Sequence, residues 1–202
     1  EECDSLLGNL SFTTTYDDLA DVDLVIEAVI ELPEVKFEVF RTLASVVKPE
    51  GILASNTSSI PIMKLAMATG RPDRVIGIHF FNPVPVLHLV ELVTSLYTSD
   101  ETQARASRYA MQQLGKRVVN SQDRAGFIVN ALLIPYILSA IRMMESGFAT
   151  AEDIDHGMVE LRADALRLVF ASFVISSLLG RAQASQVVHD AAEYGCLRLG
   201  IQ

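Results

Sequence analysis

Tryptophan is absent from these 202 residues, and cysteine occurs only at Cys3 and Cys196. No CxxC pair or Cys/His cluster is formed. Neither a disulfide framework nor a zinc site is expected, and a reducing, cytoplasmic setting is the simplest expectation. Basic charge is scarce as well. Sixteen Lys and Arg stand against 25 Asp and Glu, for a net charge of -9 and a pI near 4.9. That balance argues against nucleic acid or an anionic membrane surface as a main partner. No apolar run reaches the roughly 20 residues of a membrane span. The longest, LVFASFVISSLL at 168–179, reads as a buried helix. The chain opens EECDSLLGNL, with acids where the basic region of a secretory leader would lie. Repeats and low-complexity tracts are missing too. What remains is half apolar and 20% charged, a globular composition with room for one large or two small domains.

The first half alternates strand-like and helix-like segments. LSFTTT (10–15) is rich in β-branched residues and predicts a strand. DLVIEAVI (23–30) is nearly continuous apolar sequence, as in a strand covered on both faces. Pro33 opens a helix at the position where proline is tolerated, and Val35, Val39, Leu43 and Val46 make its apolar stripe. Strands follow at 51–56 and 74–80, with a short helix around Ile62 to Ala68 between them. A further strand is expected at 86–93. A helix capped by Ser99 and stopped by Gly115 comes next, then a last strand at 116–121. Such alternation means βαβ units and a mainly parallel, doubly wound sheet. From Gly126 the chain reads as helical, with Pro135 expected to kink one helix and TAED (150–153) resembling a capping box. The boundary between an α/β part, 1–122, and an all-α part, 123–202, falls near Gln122–Asp123.

In open parallel sheets, ligands bind outside the carboxyl ends of the strands. Three polar clusters fall there: Glu31 with Lys36, the run Asn56 to Ser59, and His79 with Asn82. Singly, each has a plainer reading, as a solvated helix start, a turn cap or a core histidine. Together they mark one edge as a site. Glu91 sharpens the case, because a carboxylate within LHLVELV costs several kcal/mol unless it is paired. It lies one turn downstream of His79, so the strand carrying it can present it to the imidazole. A carboxylate on one ring nitrogen fixes the tautomer and leaves the other nitrogen as a general base. No serine elbow accompanies the pair, which disfavours hydrolase chemistry.

The stretches VIEAVIELPEVKFEVF, ASNTSS, IGIHFFNPVPVLHLVEL and DRAGFIVNALLIPYI resemble L-3-hydroxyacyl-CoA dehydrogenases, the 3-hydroxybutyryl-CoA dehydrogenase type included. The likeness runs in order from about Leu10 to Met158. It implies a partial Rossmann-like domain followed by an all-α substrate and dimerisation domain. It also implies NAD-dependent, reversible oxidation of a 3-hydroxyacyl-CoA in fatty acid metabolism, by a homodimer. By the same resemblance His79 is the general base, Glu91 its carboxylate partner, and Ser58 and Asn130 hold the substrate oxygen. Ala28, Glu31, Lys36 and Asn82 line the nicotinamide half of NAD, with Asn56 and Ser58 alongside.

Three features depart from the family pattern. The Gly-x-Gly-x-x-Gly turn that cradles the NAD pyrophosphate is not among these residues; the earliest glycine is Gly8. After EDIDHGM the expected Gly-rich loop is replaced by unfamiliar sequence, which a divergent helical end or a changed reading frame would equally explain. His88 stands where the family usually has lysine. The competing expectation is a non-catalytic interaction module that keeps the helical dimerisation unit.

Overall fold

The apolar run 23–30 becomes a strand only where its backbone finds a partner. In the computed structural model, which describes residues 8–160, strand β1 spans Leu24–Glu27. It pairs in parallel with β2, Ile52–Ser55, from Leu24 opposite Ile52 to Glu27 opposite Ser55. β2 pairs in parallel with β3, Val75–Phe80. β4, Leu89–Thr94, returns antiparallel to β3, and β5, Arg117–Gln122, runs parallel to β4. The sheet order is β1-β2-β3-β4-β5, so β1 is an edge, and three of its four residues are only half-buried. The expected strand at 86–93 begins three residues late, because residues up to His88 belong to the Pro-rich turn.

Helix α1, Pro33–Val46, crosses between β1 and β2 with its proline in the first turn. Helix α2, Ile62–Met67, links β2 to β3. Helix α3, Asp100–Arg108, is capped by Ser99, whose Oγ accepts from the Thr102 N–H at 3.2 Å. A π-turn over Tyr109–Gln113 prolongs it, and Gly115 follows at φ 62°.

Side chains alternate across the sheet and build a core on each face. Leu53, Val75 and Val93 pack with Phe40 and Leu43 of α1, Ile62 and Leu65 of α2, and Phe127. Ile52, Ala54, Ile76, Ile78 and Leu92 pack with Ala106 and Ala110 on the other. Gly77 lets α2 come close. A Cβ there would sit 2.9 Å from both Ile62 Cδ1 and Val93 Cβ. Asp123 caps α2 from a distance, its two oxygens accepting from Ile62 N–H at 3.0 Å and Met63 N–H at 2.7 Å.

Two expectations fail. Leu10 to Thr15 is no strand. Phe12 is 94% exposed and no strand pairs with this segment among the described residues. Thr13 instead hydrogen-bonds Asp18 through its hydroxyl, at 2.5 Å, ahead of a 3-10 turn over Tyr16–Leu19. β-Branched composition states a fit to a pleated surface, and here no surface is offered. The stripe on α1 holds at Leu43 and is otherwise displaced by one residue. Lys36, Phe40, Leu43 and Val47 are buried, whereas Val35, Val39 and Val46 are half-buried.

The chain separates into two compact units, Glu1–Pro135 and Tyr136–Gln202, and the division falls at the proline inside helix α4, Val129–Glu145. In the second unit a helix over 151–160 is capped by Thr150, whose Oγ1 accepts from the Asp153 N–H at 3.1 Å. The expected buried helix at 168–179, and the rest beyond 160, lie outside the described residues. Among the described residues no helix is long and apolar enough to cross a membrane.

Candidate active site

His79 ends β3 directly opposite Glu91 of β4 in the antiparallel register. Directly opposed residues lie within side-chain reach. His79 Nδ1 and Glu91 Oε2 are 2.7 Å apart. Glu91 is 0% exposed and His79 5%. A carboxylate only accepts, so Nδ1 carries the proton in the neutral ring and Nε2 is the acceptor. Glu91 Oε1 accepts two backbone N–H groups, Ile128 at 3.0 Å and Val129 at 2.9 Å. The imidazole is wedged between Phe81, centroid 4.5 Å away, and the edge of Phe127, at 5.4 Å. Phe127 reaches that place because Gly126 and Phe127 both adopt positive φ, 75° and 51°. A Cβ on Gly126 would stand 2.9 Å from the Ala131 nitrogen, so the turn requires glycine.

A second polar knot ties the ends of β1 and β2. Lys36, 1% exposed, donates to Glu27 Oε1 at 2.6 Å and to the Val29 carbonyl at 3.2 Å, and its Nζ lies 3.2 Å from Glu31 Oε2. Glu27 also accepts from Val29 N–H at 2.6 Å and from Ser55 Oγ at 2.7 Å. Glu31 gathers the loop after β2. Its Oε1 accepts from the Thr57 hydroxyl, from the N–H groups of Ser58 and Ser59 at 3.1 and 3.2 Å, and from Ser59 Oγ at 2.9 Å. Burial opposes ionisation of Glu31. Hydrogen bonds from Thr57, Ser59 and Lys36, with the Lys36 charge, outweigh it and pull the carboxyl down to about 2.

The other expected residues take their places along the same edge. Asn56 joins the strand ends, its N–H donating to the Glu27 carbonyl at 2.8 Å and its Oδ1 accepting from Phe80 N–H at 2.9 Å. Ser58 is half-buried, and among the described residues its N–H is engaged by Glu31 while its hydroxyl has no hydrogen-bond partner. Ala28 and Asn82 are exposed, Asn82 preceding a cis peptide to Pro83. Asn130 is half-buried and follows Val129 directly, so it sits one residue past the N–H that Glu91 holds. The structure thus joins His79 to Glu91 and Glu31 to Lys36 and Ser58. Among the described residues, Ala28 and Asn82 share the edge without side-chain hydrogen bonds to the others. Exposed Ala28 and Asn82 and the free Ser58 hydroxyl suit the close approach and hydrogen-bonding of a planar cofactor ring.

The sequence profile of the 3-hydroxyacyl-CoA dehydrogenase NAD binding domain matches residues 1–124. This chain belongs to the 3-hydroxyacyl-CoA dehydrogenase family. The profile of that family's C-terminal domain matches residues 126–169. A 3-hydroxybutyryl-CoA dehydrogenase of Mycobacterium tuberculosis is 60% identical over 159 residues, 78% of this chain and 56% of the relative. The mitochondrial hydroxyacyl-coenzyme A dehydrogenase of Homo sapiens is 46% identical over 153 residues, 74% of this chain and 48% of the relative. Among solved structures, M. tuberculosis FadB2 superposes with a TM-score of 0.74 at 61% identity, covering 75% of this chain and 54% of that one. The (S)-3-hydroxybutyryl-CoA dehydrogenase PaaH1 of Ralstonia eutropha gives 0.75 at 45% identity, covering 78% and 56%. The chain therefore spans about half the length of the relatives it matches.

Within this dehydrogenase-family scaffold, sequence reasoning passed over four contributors. Glu27 lies in LVIEAVI as Glu91 lies in LVELV, and the same signal, a carboxylate inside an apolar strand, marks it. Lys116 donates to the Val84 and Leu87 carbonyls at 2.5 and 2.8 Å, clamping the otherwise exposed turn that carries Phe81 and Asn82. Gly126 and Phe127 aim the start of α4 at Glu91. Nothing in the sequence announces a phenylalanine at positive φ.

Proposed function

We propose that this chain carries the catalytic part of an NAD-dependent 3-hydroxyacyl-CoA dehydrogenase, which oxidises a 3-hydroxyacyl-CoA reversibly to the 3-ketoacyl-CoA in fatty acid β-oxidation. The observation that carries the reading is the buried His79–Glu91 pair at the ligand-binding edge of the sheet. His79 takes the proton of the 3-hydroxyl through Nε2, the nitrogen Glu91 leaves free. Glu91 holds the ring in that tautomer and balances the imidazolium charge. Ser58 and Asn130 hold the substrate oxygen. Ala28, Glu31, Lys36, Asn56, Ser58 and Asn82 form the lining on the nicotinamide side, Lys36 acting from behind Glu31 because its ammonium is buried. Bound NAD supplies the hydride acceptor.

The domain reading that goes with this function places part of the NAD-binding domain at 1–122 and the helical substrate and dimerisation domain at 123–202. The change of family profile between residues 124 and 126 supports it. A homodimer through the helical domain is supported by α4, which has no buried residue yet carries Leu132, Ile134, Ile137 and Ile141. A monodisperse monomer in light scattering at micromolar concentration overturns that part. A cytoplasmic location rests on cysteine usage.

The test of function mixes the full chain with NAD and 3-hydroxybutyryl-CoA and follows NADH formation. His79→Gln should lower turnover by roughly 10²–10⁴-fold, the usual worth of a general base, with its unfolding midpoint little changed. A folded His79→Gln chain with full activity overturns the assignment of the base. No turnover by the unaltered chain overturns the reading of this chain as an enzyme.

A further inference from the structure

Helices α1 and α2 leave an open groove between them. Phe37 and Arg41, one turn apart on α1, line one wall, and Met63, Lys64 and Met67 of α2, with Ala68 at its end, line the other. The groove measures about 390 Å³. Its walls are preformed, because Phe40 and Leu43 of α1 and Ile62 and Leu65 of α2 anchor both helices in one core, against which Phe37 also packs. Met67 is nevertheless 60% exposed. Methionines on a rigid wall make an adaptable apolar surface. The charge along the groove has one sign. Arg41 and Lys64 are exposed and make no ion pair or hydrogen bond among the described residues. No acid lines the groove, although the chain carries a net charge of -9.

Apolar walls with cations and no anion suit a ligand with an apolar body and a negative head. We propose that the groove between α1 and α2 binds an unbranched aliphatic carboxylate, its chain on Phe37, Met63 and Met67 and its head at Arg41 and Lys64. The volume favours a small molecule over a partner segment. It falls near the lower end of the roughly 300–1,000 Å³ of small-ligand sites, whereas a docked helix is itself roughly 10–12 Å across. The free acid is the form that fits, since a thioester carries no charge at the end of its chain, and a guanidinium fork matches a carboxylate. The position connects the ligand to the rest of the molecule. Helix α1 begins two residues after Glu31, and α2 follows the Asn56–Ser59 loop, whose Ser58 and Ser59 N–H groups Glu31 holds. A chain lying between the helices therefore bears on both elements that carry this edge of the sheet.

The experiment follows the methionine methyl groups of the full chain by ¹³C NMR as octanoate, octanol or octanoyl-CoA is added. Octanoate should shift Met63 and Met67 saturably, with a Kd of ~1 mM for a ligand of this size in a half-open groove. Met111, in the turn beyond α3, should stay where it is. Octanol should bind about tenfold more weakly, and octanoate should bind the Arg41→Gln/Lys64→Gln chain about tenfold more weakly than the unaltered one. Both cations are exposed, so that variant keeps the fold. No saturable octanoate shift at Met63 and Met67 overturns the proposal, a result that needs no variant. A shift shared by all the methionines also overturns it, as adsorption to any apolar surface. Octanol binding as tightly as octanoate removes the role of the cations and overturns it too. Octanoyl-CoA shifting the two methyls at lower concentration than octanoate assigns the groove to the thioester and overturns the choice of the free acid. Turnover is not read, so the outcome is independent of the dehydrogenase reading.

Discussion

Lys36→Met replaces a buried ammonium by an apolar group of similar length. The change leaves Glu27, 4% exposed, without its cation. Breaking a buried ion pair by removing one partner costs about 3–5 kcal/mol. Glu27 keeps two donors, Val29 N–H and Ser55 Oγ, and Glu31 keeps its hydroxyl and amide donors from the β2 loop. Methionine fills most of the vacated volume, so the cavity contribution is small. The low end of the range applies, about 3 kcal/mol. For a folding unit of this size that is a fall in Tm of about 10 °C. Denaturant unfolding at neutral pH measures it. Adding Glu27→Gln to Lys36→Met removes the stranded charge and should restore about half of the loss. A Lys36→Met cost below about 1 kcal/mol, or a double variant no more stable than the single one, would show that the ammonium is solvated.

Glu31 makes stability depend on acid. Its folded carboxyl is held at about 2, below the ordinary 4.5, so its contribution is complete above 4.5 and is lost as pH falls toward 2. Its side chain is 38% exposed, and after screening about 1 kcal/mol remains. Unfolding free energies of the unaltered chain and Glu31→Gln should converge over that window, and a constant gap refutes the account. Gly126→Ala should cost at least about 1 kcal/mol, because a Cβ must be accommodated at φ 75° against the Ala131 nitrogen. An unchanged denaturant midpoint contradicts this. Lys116→Met should speed hydrogen exchange at Val86 and Leu87 by about tenfold. Unaltered exchange there would mean the turn holds itself.

Glu91 was legible because an acid inside an apolar strand must be explained, and the explanation, an imidazole one turn upstream, lies in the same string. The order of strands and helices from Asp23 to Gln122 was legible for a similar reason, since proline, glycine and serine punctuate it. The residues that escaped did so on physical grounds. A strand needs a partner, which the composition of Leu10 to Thr15 cannot state. The buried face of α1 includes a lysine, so a count of apolar residues points one position away from it. Glu27 carried the same sign as Glu91, but its partner Lys36 lies on a helix nine residues later and reads as solvated. Lys116 acts on carbonyl groups, which no side-chain pattern records. Of the paired positive φ angles at the helix entry, Gly126 shows in residue type, whereas the one at Phe127 leaves no such trace.

The opposition of His79 and Glu91 across an antiparallel ladder has a consequence for how this sequence can vary. Their partnership is fixed by strand register and is indifferent to the path between them. Residues added at the exposed tip of the connecting turn, near Pro85 and Val86, lengthen the connection without moving either side chain. One residue deleted inside β3 or β4 rotates its partner onto the opposite face of the sheet. Length polymorphism should therefore be tolerated between the two residues and be lethal to the pair on either side of that loop. Gapped comparison of related chains should treat the strands, rather than the distance separating the histidine from the glutamate, as the conserved unit.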